Sequence, residues 1–319
     1  MKEYAVRRIL LFIPTLLLAT LIVFVLFFIV PGDAAMMILT GEEGAGAVTD
    51  ADIAKLQHEL GLDRPLHVQY GSWVWGILHG DLGESIWYRV PVIDELRQKF
   101  VLHVQLSVMA IIMAFIVAVP LGMISAVKQD TLTDYASRIF SLIGIALPTF
   151  WLALLIIYAL SYGFNWLPPL GYATLWEDPF LNMTQLFFPA LALAFHDLAF
   201  TSRVTRSSML EVLREDYVRT ARSKGLREMT VIGRHALKNA ILPVVTVSGY
   251  QFARLLGGVI IIETIFVVPG LGAFLIESIQ HRDFVVLQAV IVLTAAVVLT
   301  LNLVIDLCYG ILDPRIRYS

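Results

Sequence analysis

The chain has 319 residues, of which 58 % are hydrophobic and only 15 % charged, with a mean hydropathy of +0.77. Soluble globular domains hold about 45–50 % apolar and about 25 % charged residues, so a soluble fold is excluded and an all-α integral membrane protein is expected. The net charge of −3 hides a segregation of acids from bases, and the single cysteine, Cys308, excludes an internal disulfide and offers no metal centre.

Lys2, Arg7 and Arg8 precede an apolar run over about 9–30. It is longer than the apolar core of a signal peptide, about 7–15 residues, and reads as a first transmembrane helix with a cytoplasmic N-terminus. Residues 31–100 differ: eleven Asp or Glu against five Lys or Arg, and no span-length apolar run. A loop of this length is expected to fold as a small extracytoplasmic subdomain. Its Trp73, Trp75 and Trp87 suit either the membrane interface or a docking surface for an external partner.

Further spans are expected over about 101–127, 135–162, 183–202, 240–262 and 284–307, which gives six spans and places both termini in the cytoplasm. Pro148 lies inside the third span, where freed backbone groups must be satisfied by neighbouring helices or a water-lined path. The connection from Glu263 to Asp283 is apolar and Gly-rich at its centre, as in a re-entrant or membrane-lying helix. Residues 101–319 then form a core with one long cytoplasmic loop, 203–239.

That loop is the most charged stretch of the chain. Nine of the 23 Lys and Arg residues lie between Arg203 and Leu242. Leu210, Leu213, Tyr217 and Ala221 fall on one helical face, with Glu211, Glu215, Arg219 and Arg222 opposite, and Gly225 ends the pattern. Periodicity alone leaves open whether this helix packs on its own bundle or docks a partner. A basic patch can bind nucleic acid, but one set between spans does not suggest it.

Polar groups inside spans cost about 2.5–3.5 kcal/mol each on insertion scales, so they need a reason. His196 and Asp197 in the fourth span, Arg254 in the fifth, Glu263 at its outer end and Asp306 in the sixth are the candidates. Either they line a water-filled path or they pair to pin helices. Neighbouring helix positions point about 100° apart, so His196 and Asp197 are not expected to form a hydrogen-bonded dyad of an intramembrane hydrolase. No G-x-S-x-G or H-E-x-x-H motif supports an enzyme, and no G-x-x-x-x-G-K-[ST] phosphate loop occurs, so ATP chemistry would need another chain. An ion-gradient-driven carrier would need no basic docking loop, and no repeat relates the two halves.

Several stretches carry a family resemblance. RSSMLEVLREDYVRTARSKGL (206–226) followed by RHALKNAILPVVTV (234–247) resembles the cytoplasmic segment of ABC importer permeases of the dipeptide, oligopeptide and nickel branch. GLDRPLHVQY (61–70), GDLGESIWYRVPV (80–92), ETIFVVPGLGAFLIESIQHRD (263–283) and NLVIDLCYGILDPRIR (302–317) resemble the same family, which covers nearly the whole chain. Arg219, Thr220 and Ala221 stand where the general family has Glu-Ala-Ala, Val268 replaces a frequent Trp, and His103 stands where Thr is common. The resemblance implies a type I ABC importer-like permease whose coupling residues are Asp216, Tyr217, Arg219, Thr220, Ala221, Lys224 and Gly225. It implies no catalytic residue and no cofactor on this chain, with ATP and Mg held by partner subunits. Implied partners are a second, similar permease in a heterodimer, two ATP-binding subunits, an extracytoplasmic substrate-binding protein and membrane lipid. Di- or oligopeptides are the expected cargo, with nickel or other metal chelates and glutathione as alternatives.

Overall fold

A computed structural model describes residues 2–29, 49–59 and 63–312. The Pro31-Gly32-Asp33 helix stop, part of the acidic connection and the basic tail with Arg315 and Arg317 lie outside the described residues. In chain order the helices are α1 (Lys2–Ile29), α2 (Asp50–Glu59), α3 (Leu66–Leu78), α4 (Val92–Val127), α5 (Leu132–Ala146), α6 (Thr149–Phe164), α7 (Pro179–Val212) and α8 (Asp216–Ser223). Then follow α9 (Glu228–Gly257), α10 (Ile260–Ile265), α11 (Leu271–Gln280) and α12 (Phe284–Leu312). Five are long and apolar enough to cross a membrane, and six spans result if the bent pair α5–α6 counts as one.

That pair is where the expected third span departs from a single helix: α5 and α6 meet at 102°. Leu147 takes an extended conformation (φ −76°, ψ 124°) because the ring of Pro148 disfavours helix at the preceding residue. At about 1.5 Å per residue each half is too short to cross the roughly 30 Å hydrocarbon layer. The other spans overshoot it instead. α4 begins at Val92 rather than near 101, and α7 continues ten residues past 202, to Val212. Asp178 opens α7 by accepting the Leu181 N–H at 2.9 Å, and Pro179 stands where no helical N–H is required.

The bundle is centred on α4 and α7. Along α4, Leu102, Leu106, Ala110, Ala114, Ala118, Gly122 and Ala126 recur every fourth residue, and all are buried. This small-residue ridge lets the backbones approach closely, which is how helices associate where lipid offers no hydrophobic contrast. At Gly122 an added Cβ would sit 2.5 Å from the Ser202 carbonyl, and at Gly144 of α5 it would sit 2.6 Å from the Ala199 methyl. α1 lies against α12, where Arg8 pairs with Asp306 at 2.9 Å and the Tyr250 hydroxyl donates to Asp306 at 3.1 Å. So Asp306, one of the polar span residues, pins helices. α3 rests on α1 through Tyr70 and Trp73 against Phe24. Trp87 stacks flat on His281 with ring centres 3.9 Å apart, Trp73 lies against Phe24 and Tyr70, and Trp75 is exposed beside His79.

Candidate functional site

The amphipathic helix of the basic loop is shorter than its sequence pattern. The chain turns at Leu213, Arg214 and Glu215, so Leu210 and Leu213 belong to the end of α7 and its turn, and α8 starts at Asp216. The turn rotates the face: Val218 and Ala221 are buried against Val212, Leu213 and Val231, whereas Tyr217 is 40 % exposed. The outward face carries Asp216, Arg219 and Thr220, with Lys224 just beyond the helix. Asp216 and Arg219 pair with each other at 3.2 Å. Gly225 has φ +75°, the left-handed conformation that ends a helix at low cost only for glycine. Three side-chain bonds tie α8 to α9: Asn239 Nδ2 donates to the Tyr217 hydroxyl at 2.7 Å, and Arg222 donates to Glu228 twice, from Nη2 to Oε1 at 2.8 Å and from Nε to Oε2 at 3.3 Å. The pairing with Glu228 raises the already high basicity of Arg222.

Beside this loop, Arg206 near the end of α7 grips Asp134 at the start of α5 with two hydrogen bonds, both 2.7 Å. Ser125 Oγ of α4 donates to the same carboxylate at 2.6 Å, and the Asp130 N–H donates at 3.0 Å. Asp134 is fully buried, so α4, α5 and α7 are locked together where α8 leaves the bundle. Sequence reading missed this clamp, since its partners are 72 residues apart.

Of the polar span residues, Asp197 and Arg254 meet: Arg254 Nη2 donates to Asp197 Oδ1 at 2.6 Å. Asp197 is wholly buried, while the Arg254 side chain is 54 % exposed. His196 Nδ1 also lies 3.3 Å from Asp197 Oδ1. This runs against the expectation that the adjacent pair forms no hydrogen-bonded dyad, although 3.3 Å is long for a hydrogen bond. Asp197 Oδ2 is buried with no partner among the described residues. Gln251 of α9 reinforces the crossing, accepting from Thr201 Oγ1 at 2.8 Å. Arg254 lines a cleft of about 250 Å³ with Thr149, Leu193, Gly258 and the first residues of α10.

Glu263 stands elsewhere and is differently partnered. It is wholly buried, and one carboxylate oxygen lies 2.6 Å from His103 Nδ1 of α4. The other oxygen accepts the backbone N–H groups of Gly272 and Ala273, at 2.7 and 3.0 Å, which open α11. The carboxylate thus caps a helix N-terminus whose donors would otherwise be unpaired in a dry interior. Gly270 and Gly272 make room for it: a Cβ at Gly270 would fall 2.3 Å from the carboxylate and one at Gly272 2.6 Å from the Ile260 backbone. Val267 is held at φ +54°, a strained conformation for a β-branched residue, while the Val268 N–H bonds back to the Glu263 carbonyl at 2.8 Å. The His103 pairing spans 160 residues and carried no sequence signal.

Just after α11, Asp283, also buried, accepts from Ser85 Oγ at 2.5 Å and from the Trp87 N–H at 3.2 Å, and Tyr88 donates to Glu277. Burial, with Glu277 beside it, pushes the Tyr88 phenol well above its ordinary value.

Residues 118–318 match the family described as binding-protein-dependent transport system inner membrane component, and residues 1–93 match its N-terminal region. The chain belongs to this family. It is 40 % identical to the dipeptide transport system permease protein DppB of Escherichia coli (strain K12), and 38 % identical to that of Alkalihalophilus pseudofirmus. It is 36 % identical to a putative peptide transport system permease protein of Brucella abortus (strain 2308). Each of these matches covers the whole of both chains. The protein is therefore an ABC transporter permease, a multi-pass component of a bacterial inner membrane.

Proposed function

We propose that this chain is one translocation subunit of an ATP-driven importer of di- or oligopeptides, with α8 as the helix through which separate ATPase subunits drive it. The observation that carries this reading is α8 itself, an eight-residue helix anchored by Val218 and Ala221 with its charged face outward, in a chain that resembles peptide permeases along its full length. Both termini and α8 lie in the cytoplasm, where the basic residues concentrate, and the acidic 31–100 region lies outside, where a binding protein delivers cargo. A second permease completes the pathway. ATP and Mg belong to the ATPase subunits, and no step of hydrolysis falls on this chain.

The packing supplies a physical route for coupling. A push on α8 acts on α7 through Val212 and Leu213 and on α9 through Asn239 and Glu228. The Arg206–Asp134 clamp carries motion of α7 into α5 and so to the break at Pro148, beside the Arg254 cleft. Two discrete arrangements of the spans, biased by the ATP state, would open that cleft alternately to either side.

The test has two parts. Cells carrying and lacking this chain are compared for uptake of a labelled dipeptide, with unlabelled tripeptide, glutathione and nickel chelate as competitors. Uptake that requires the chain and is competed by peptides alone is expected; competition by glutathione or the chelate alone would move the cargo to those classes. Gly225→Val, which forces a β-branched residue to φ +75°, is expected to leave the complex assembled with altered ATP turnover and to abolish uptake. Normal uptake in that variant would sink the coupling assignment.

A further inference from the structure

We infer that the cleft beside Arg254 is a subsite for the terminal carboxylate of the transported peptide, an inference that rests on the peptide-import reading above. Arg254 is the charged side chain among the cleft's lining residues, which are otherwise apolar apart from Thr149. One well-placed polar group in an apolar recess is the usual design of a ligand pocket. At about 250 Å³ the cleft falls just below the common range of about 300–1,000 Å³, so it takes one terminal residue rather than a whole peptide.

The guanidinium is only partly used. Asp197 engages Nη2 alone, from a wholly buried position, while the Arg254 side chain stays 54 % exposed. Among the described residues Asp197 is its one hydrogen-bond partner, which leaves further donors of a planar fork that matches a carboxylate. Asp197 itself is held by one oxygen only, its Oδ2 buried without a partner. The pair therefore compensates the Arg254 charge when no cargo is present without saturating it.

Two backbone features favour the same ligand. The break at Leu147 and Pro148 places the start of α6 at the cleft through Thr149, and its N-cap is a proline that supplies no side-chain cap. An uncapped helix start within a broken span adds partial positive charge on the side where an anion would sit. Gly258, at φ +156°, ends α9 there, and a Cβ added to it would meet nothing within 4 Å, so the wall is open.

The competing account is that Arg254 merely pins α9 to α7. The two differ in what they predict for cargo lacking the carboxylate. The complete complex, with its partner permease, ATPase subunits and binding protein, is reconstituted in proteoliposomes. Initial uptake is measured for a labelled dipeptide and its C-terminal amide at equal occupancy of the binding protein. Arg254→Gln is expected to slow import of the acid by about ten-fold or more while leaving the amide unchanged, the loss expected for a charge-assisted contact. Arg254→Lys should recover much of the acid rate. Equal loss for acid and amide, or no loss for the acid, overturns the subsite while leaving peptide import standing. If the binding protein refuses the amide, failure of Arg254→Lys to exceed Arg254→Gln on the acid overturns it equally. A wild-type complex that imports no peptide at all defeats the peptide reading and this inference with it.

Discussion

Of the carboxylates buried in the bundle, Glu263 and Asp197 have opposite surroundings. Glu263 meets His103 through one oxygen and two backbone N–H groups through the other, and the glycines beside it leave no space for change. Asp197 meets Arg254 and, at longer reach, His196 through a single oxygen, and its second oxygen is unmatched beside an open cleft. A saturated buried network has one arrangement and resists rearrangement, whereas a half-saturated pair can exchange partners at low cost. The first has the character of a joint of the frame; the second adjoins the cleft that, on the reading proposed above, changes during transport.

The largest effect that would sharpen this contrast is on stability. Glu263→Ala strands His103 and uncaps α11, and is expected to destabilise the purified protein by about 3–5 kcal/mol, with a marked fall in folded yield. Asp197→Asn should cost about 1 kcal/mol, since only one oxygen of Asp197 meets Arg254 and an amide oxygen can still accept that hydrogen bond. Thermal unfolding in detergent measures both, and the reverse order would break the contrast. Asp134→Ala comes next: it frees Arg206, Ser125 and the Asp130 N–H at once, and a loss of about 2–4 kcal/mol is expected. Asp134→Asn should recover part of this by keeping some of the hydrogen bonds.

A smaller effect concerns pH at the contact of Tyr88 with Glu277. The Tyr88 phenol is favoured in its neutral form by burial and by Glu277, so its folded value lies above the ordinary 10.0. Its contribution is therefore complete below about pH 10 and is lost as pH rises beyond it, where the unfolded chain ionises first. Tyr88→Phe is expected to lower stability at neutral pH, where the hydrogen bond to Glu277 is lost, and to flatten the fall in stability on the alkaline side. An unaltered alkaline slope would count against the Tyr88–Glu277 contact.

Much of this architecture is legible in the sequence because hydropathy marks where lipid must be met, and the 206–226 and 263–283 stretches keep a recognisable wording. What hydropathy cannot mark is where a helix ends, since α4 and α7 continue their hydrogen bonding into water beyond the apolar stretch. Pro148 announced a disturbance but not its 102° size, which depends on what α5 and α6 pack against. The sequence pattern puts Tyr217 inside, but one turn at Leu213–Glu215 resets the helical phase, so Val218 takes that place. The four-residue ridge from Leu102 to Ala126 was present as a pattern, but an apolar face in an apolar span is noticed only by residue size. The Arg254–Asp197 pair could be suspected from two charges inside spans; the Glu263–His103 joint could not, as nothing local ties residues 160 apart.

The most direct test compares motion at the two carboxylates. With Cys308 replaced by Ser, spin labels at Phe150 and Ile261 flank the Arg254 cleft, and labels at Lys99 and Ile279 flank the Glu263 joint, the residues at 150, 261 and 279 being exposed. Distances are measured by pulsed electron resonance in the assembled complex, without nucleotide and with ATP trapped. The 150–261 distance should shift between the two states while the 99–279 distance stays fixed. A fixed 150–261 distance, or equal shifts in both pairs, would contradict the division into a rigid joint and a moving cleft.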